Sequence, residues 1–131
     1  ALKINLHLAA VWGEMLRMKG VIDEPSLPAT VHKLGSLLAH THCMDYRVIP
    51  CLPPLQSLLG TVLSRPTVEV IPGAGECDYV AFIKALKEIG YDGYLTVESH
   101  RSDIPPEVQL AWALKNLRSL IRSAESPANT L

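Results

Sequence analysis

His40 and His42 stand two residues apart in the run Leu37-Leu38-Ala39-His40-Thr41-His42-Cys43, so an extended backbone projects both imidazoles from one face. Glu98 sits between Val97 and Ser99 in an apolar stretch, where an unpaired buried carboxylate would cost several kcal/mol. It therefore needs a cation, a donor network or solvent. A third imidazole, His7, shares a face with Asn5 opposite Ile4, Leu6 and Leu8. Neutral imidazoles with a carboxylate suit a borderline divalent cation such as Mn²⁺, Co²⁺, Zn²⁺ or Fe²⁺. The competing reading of each histidine is a hydrogen-bonded or solvated strand residue, and it carries most weight for His7.

These residues fall on three segments with strand periodicity. Residues 2–8 alternate strictly, residues 37–43 form the second strand, and residues 93–99 (Gly-Tyr-Leu-Thr-Val-Glu-Ser) form the third. In the third, Thr96, Glu98 and His100 share a face opposite Leu95 and Val97. Helices are predicted over 12–19, closed by Gly20, and over 28–35, opened by Pro28 and stopped by Gly35. A further helix is capped by Asp78 and runs to about Ile89, with Gly90 closing it; the last begins at Pro105 or Pro106. The proline-rich stretch 46–77 reads as a long loop carrying one or two helical turns, and the chain from Ser123 as a polar, frayed tail.

Strands alternating with helices imply an α/β fold with parallel pairing and right-handed crossovers. A doubly wound sheet would be apolar on both faces. A polar face carrying His7, His42 and Glu98 toward strand C-terminal ends instead fits the mouth of a (β/α) barrel. Asp45 and Arg47 follow the histidine strand and fall in a loop above that mouth. Arg47 either clamps an anionic or hydroxylated substrate or is a plain surface arginine. Pro72-Gly73-Ala74-Gly75-Glu76 lacks the spacing of a phosphate-cradling loop and reads as a turn.

Composition narrows the function classes. The 131 residues are 48% hydrophobic and 19% charged, which excludes disorder and suits one domain. Twelve Lys and Arg against thirteen Asp and Glu leave no basic excess for sequence-independent nucleic-acid binding. No apolar run reaches the ~20 residues of a membrane helix, and Lys3, Asn5 and His7 interrupt any signal-like start. Cys43, Cys51 and Cys77 are odd in number and lack C-x-x-C spacing; they read as reduced thiols of a cytoplasmic protein, without a structural zinc site.

Three motifs, His40-Thr41-His42-Cys43-Met44-Asp45, Ile71-Pro72-Gly73-Ala74-Gly75-Glu76-Cys77-Asp78-Tyr79 and Ile89-Gly90-Tyr91-Asp92-Gly93-Tyr94-Leu95-Thr96-Val97-Glu98, closely resemble the C-terminal part of the xylose isomerase-like TIM barrels, in the family's order. The resemblance covers most of 36–122. It implies a partial (β/α)8 barrel made of the last three βα units, with residues 1–131 as a single domain. It also implies a divalent metal (Mn, Mg, Co or Zn), weakly held, with His42, Glu98 and His7 as ligands. Glu98 would double as the catalytic acid/base, and His40 and Arg47 would contact a small sugar or sugar phosphate. The implied reaction is isomerisation or epimerisation by proton transfer next to a carbonyl.

Departures from the family pattern are equally specific. His7-Leu8-Ala9-Ala10 stands where the family has Asp-x-x-His; His7 can replace the aspartate, but Ala10 cannot replace the histidine. Residues 48–70 are longer and more apolar than the usual link. A complete barrel takes about 250 residues, so the glutamate ligand of the fourth strand has no counterpart here. The expectation is therefore a homo-oligomer or a portion of a longer chain, since open strand edges invite association. The alternative function is an inactive barrel remnant serving as an assembly or small-ligand module. DNA cleavage at abasic sites is disfavoured by the balanced charge and the few histidines.

Overall fold

The computed structural model describes residues 2–8, 11, 26–49 and 67–126. Strand β1 (Ile4–His7) is followed by helix α1 (Leu27–Leu34), a 3₁₀ turn (Gly35–Leu37) and β2 (Leu38–Cys43). Then come β3 (Asp45–Val48), β4 (Thr67–Val70), α2 (Tyr79–Glu88), β5 (Leu95–Val97) and α3 (Pro106–Glu125). The helix expected over 12–19, with Gly20 as its cap, lies outside the described residues.

The helices begin and end for local reasons. The Ser26 hydroxyl accepts the Ala29 amide hydrogen at 3.1 Å, Pro28 occupies the first turn of α1, and Gly35 ends it at φ +48°. Asp78 caps α2 by accepting from the Ala81 amide at 2.9 Å, and Gly90 follows at φ +69°. Helix α3 opens on Pro106 and continues through Glu125, so Ser123 lies inside the helix rather than in a tail. Its Ser123 hydroxyl donates to the Ser119 carbonyl one turn back, which keeps that polar residue compatible with helix.

β1, β2 and β5 form one parallel sheet in the order β1-β2-β5, an open arc with the expected sense of pairing. One face is apolar: Leu6, Leu38, Thr41 and Cys43 are buried, and Leu95 and Val97 pack beside them. Helices α1 and α2 cover that face with Leu27, Val31, Phe82, Ile83 and Leu86. Burial of these side chains supplies the main stabilisation, about 1.5–3 kcal/mol for each large one. Thr41 is tolerated in the core because its hydroxyl donates to the Tyr94 carbonyl at 2.9 Å.

Of the stretch 46–77 the structure describes 46–49 and 67–77, and these include strand where the prolines suggest a loop; residues 50–66 lie outside the described residues. Asp45–Val48 and Thr67–Val70 pair as an antiparallel ribbon, with Tyr46 opposite Glu69 and Arg47 opposite Val68. Thr67-Val68-Glu69-Val70 alternates and is rich in β-branched residues, which suits it to a strand. The third strand is also shorter than predicted. Pairing to β2 ends near Val97, after which Ser99 and His100 turn toward the ribbon and leave the ladder.

Candidate metal centre

Parallel register assembles the site. His7 on β1 lies directly beside His42 on β2, and His42 lies beside Thr96 on β5, two residues before Glu98. The Glu98 amide still donates to the Cys43 carbonyl at 3.1 Å, so its backbone is held to the end of β2. Side-chain alternation sends Leu6, Thr41 and Cys43 into the core and His7 and His42 to the opposite face. One Glu98 oxygen, Oε2, lies 2.7 Å from His42 Nδ1 and 3.0 Å from His7 Nε2.

Ligand atoms of His7, His42 and Glu98 all fall within 4.8 Å of one another, the one such possible metal site found among the described residues. Two imidazoles and a carboxylate, half-buried and open on one side, match the donor chemistry of a divalent cation that keeps free positions. His40 stands apart from this trio. Its ring packs edge-on against His42 at 5.1 Å between centroids, and its Nε2 is 3.0 Å from the Thr96 hydroxyl. His40 thus borders the centre without joining it.

A second layer comes from the ribbon. Glu69 accepts from the His100 amide at 2.8 Å and lies 3.6 Å from His100 Nδ1, while His100 Nε2 lies 3.3 Å from Glu98 Oε1. The Ser99 hydroxyl stands between Glu69 Oε1 at 2.7 Å and Gln109 Oε1 at 2.6 Å, and its single proton serves one acceptor at a time. Gln109, 5% exposed, is oriented by donating to the carbonyls of Arg101 and Ile104. Both oxygens of Glu98 therefore face imidazoles, and the third imidazole is backed by a second carboxylate.

Asp45 is a structural residue rather than one overhanging the site. It is fully buried, and its carboxylate accepts four backbone amides: Tyr46 and Cys77 on Oδ1, Gly73 and Gly75 on Oδ2. Burial raises its pKa above the ordinary value, and the amide donors oppose that rise. The Pro72–Glu76 turn does cradle an anion, but the anion is this internal carboxylate. Behind it, burial pushes the Cys43 thiol up to about 12, which leaves it an inert core group.

Arg47 is exposed on β3, and its Nη2 donates to the Ala74 carbonyl. It lines a cavity with Arg101 and Lys115 and is not part of the His7, His42 and Glu98 trio. Glu69 and Ser99 are the contributors that sequence reasoning overlooks. Glu69 had a usable signal, since a carboxylate flanked by Val68 and Val70 poses the same problem as Glu98 between Val97 and Ser99.

The sequence model for the xylose isomerase-like TIM barrel matches residues 4–120. The chain belongs to that family. A solved member of the xylose isomerase-like group, described as a xylose isomerase domain protein from Planctomyces limnophilus, superposes with a TM-score of 0.61 at 25% identity. The match covers 95% of this chain and 37% of that one, so the present sequence spans little more than a third of that relative's length. No curated protein matches. Among the described residues, the β1-β2-β5 arc forms a partial xylose isomerase-like barrel and not a closed one.

Proposed function

We propose that this chain provides part of a divalent-metal site for isomerising or epimerising a small sugar or sugar phosphate. The observation that carries the reading is the convergence of His7 and His42, register-matched on β1 and β2, with Glu98 just beyond β5, their ligand atoms within 4.8 Å. A cation held by these residues would polarise the substrate's carbonyl and hydroxyl oxygens. Glu98 would take a proton from, or return it to, the carbon beside that carbonyl. His42 and His7 fix its Oε2, and His100, set by Glu69, faces its Oε1. Efficient turnover calls for the remaining strands, supplied by a second copy or by further chain alongside the edges of β1 and β5.

Residues 123–125 end α3, and among the described residues no helix is long and apolar enough to cross a membrane. The free, buried thiols of Cys43 and Cys77 support a reducing, cytoplasmic setting. The test is titration of the purified chain with Mn²⁺ and Co²⁺ beside His42→Ala and Glu98→Ala. Saturable binding that both substitutions abolish supports the reading. Absent binding, or binding that neither substitution weakens, overturns it.

A further inference from the structure

Beside the ribbon lies a cavity of about 380 Å³, within the range of small-molecule sites. Three cationic side chains line it, Arg47, Arg101 and Lys115, and among the described residues no carboxylate does. Two of the three are fixed. Arg47 is tied to the Ala74 carbonyl, and Arg101 forms a bidentate ion pair with Asp103, Nε donating to Oδ1 at 2.9 Å and Nη2 to Oδ2, which leaves Nη1 available. Lys115 is exposed on α3 and has no hydrogen bond or ion pair among the described residues. Asn116 is held by donating to the Pro72 carbonyl at 3.1 Å, and Trp112, 50% exposed, provides an aromatic wall.

Asp103 balances Arg101, which leaves Arg47 and Lys115 as two cations at the cavity without an ion pair among the described residues, and arginine with lysine is a donor set that recognises phosphate. A phosphomonoester carries close to two negative charges at neutral pH, which suits this excess. The cavity also adjoins the metal centre along the chain. Arg101 is three residues beyond Glu98, so their Cα atoms are separated by at most about 11 Å. The Arg101 amide donates to the Ser99 hydroxyl, and Ile71 and Val70 of the wall follow Glu69 directly.

We propose that this cavity holds the phosphate of a phosphorylated sugar whose reacting end lies at His7, His42 and Glu98. The inference rests on the isomerase reading and selects sugar phosphates over free sugars. Binding is measured calorimetrically on the metal-stripped full chain with D-fructose 6-phosphate, D-fructose and inorganic phosphate, so that a failure of metal binding does not affect the outcome. Fructose 6-phosphate is expected to bind at least tenfold more tightly than either fructose or inorganic phosphate. Lys115→Ala and Arg47→Ala should each weaken it at least fivefold, and Lys115→Arg should restore most of the loss. Lys115 is an exposed helix residue, so its replacement leaves the fold intact. Equal affinity for fructose and its phosphate, or an advantage that survives both alanine substitutions, overturns the proposal. Equal affinity for inorganic phosphate and fructose 6-phosphate assigns the cavity to free phosphate and overturns the substrate class.

Discussion

Glu69 holds His100 at two points: it accepts the backbone amide hydrogen at 2.8 Å and lies 3.6 Å from the ring Nδ1. The far nitrogen of the same ring reaches Glu98 Oε1 at 3.3 Å. The ribbon strand β4 thereby orients a carboxylate at the end of β5, although β4 and β5 belong to different sheets.

Glu69→Gln tests that arrangement. Glutamine keeps an oxygen for the Ser99 hydroxyl and the His100 amide but removes the charge beside the imidazole. Outer partners of this kind typically influence metal affinity by about 10–100-fold. Mn²⁺ titration should therefore show weakening in that range at nearly unchanged thermal stability. Unaltered affinity would show that His100 is positioned without help from the Glu69 charge.

Asp45→Asn should be costly despite its small size. An amide offers an oxygen to one pair of donors and turns an NH₂ group toward the other pair, leaving two buried amides unsatisfied. A loss on the order of 3 kcal/mol is expected, read from the urea midpoint.

Gly73 and Gly90 both adopt positive φ, +81° and +69°, but only Gly73 is crowded. A Cβ there would stand 2.7 Å from Leu120 Cδ1 and 3.4 Å from Asn116 Cβ, whereas Gly90 has nothing within 4 Å. Gly90→Ala should cost about 1 kcal/mol of backbone strain, and Gly73→Ala about 2 kcal/mol because the Leu120 side chain must also give way. Equal costs at the two sites would exclude the steric contribution.

Alkali should destabilise the fold in a defined window. The Cys43 thiol ionises near 9.0 when exposed but at about 12 in the fold, and burial also raises Cys77 and Tyr79. The unfolded chain therefore sheds its protons first, so stability falls as pH rises above 9. Each buried thiol contributes about 1.4 kcal/mol per pH unit until its folded value is reached. Urea midpoints between pH 8 and 11 should decline accordingly, and Cys43→Ala should reduce the slope by one group's share.

Much of the site was legible because strand periodicity assigns faces without knowledge of partners. Alternation alone put His7 and His42 opposite Leu6 and Cys43, and the parallel order then brought them side by side. Asp78 and Gly90 were readable as helix boundaries because capping is local. The ribbon was not, since pairing between Tyr46 and Glu69 depends on segments more than twenty residues apart, and prolines masked the short β-branched run. Nor was the role of Asp45 legible. Its amide partners at Gly73, Gly75 and Cys77 lie 28–32 residues away, and no periodicity encodes such a contact.

That carboxylate has an implication for how the protein can change. Asp45 secures the start of the ribbon to the turn that follows its end, so both sides of the segment between Val48 and Thr67 are anchored independently of what joins them. Closure entropy grows only slowly with length, about 0.6 kcal/mol for each doubling. The ribbon's two ends are held by contacts outside the connection between Val48 and Thr67, and the spacing of His42 and Glu98 is set by the parallel sheet and not by that connection.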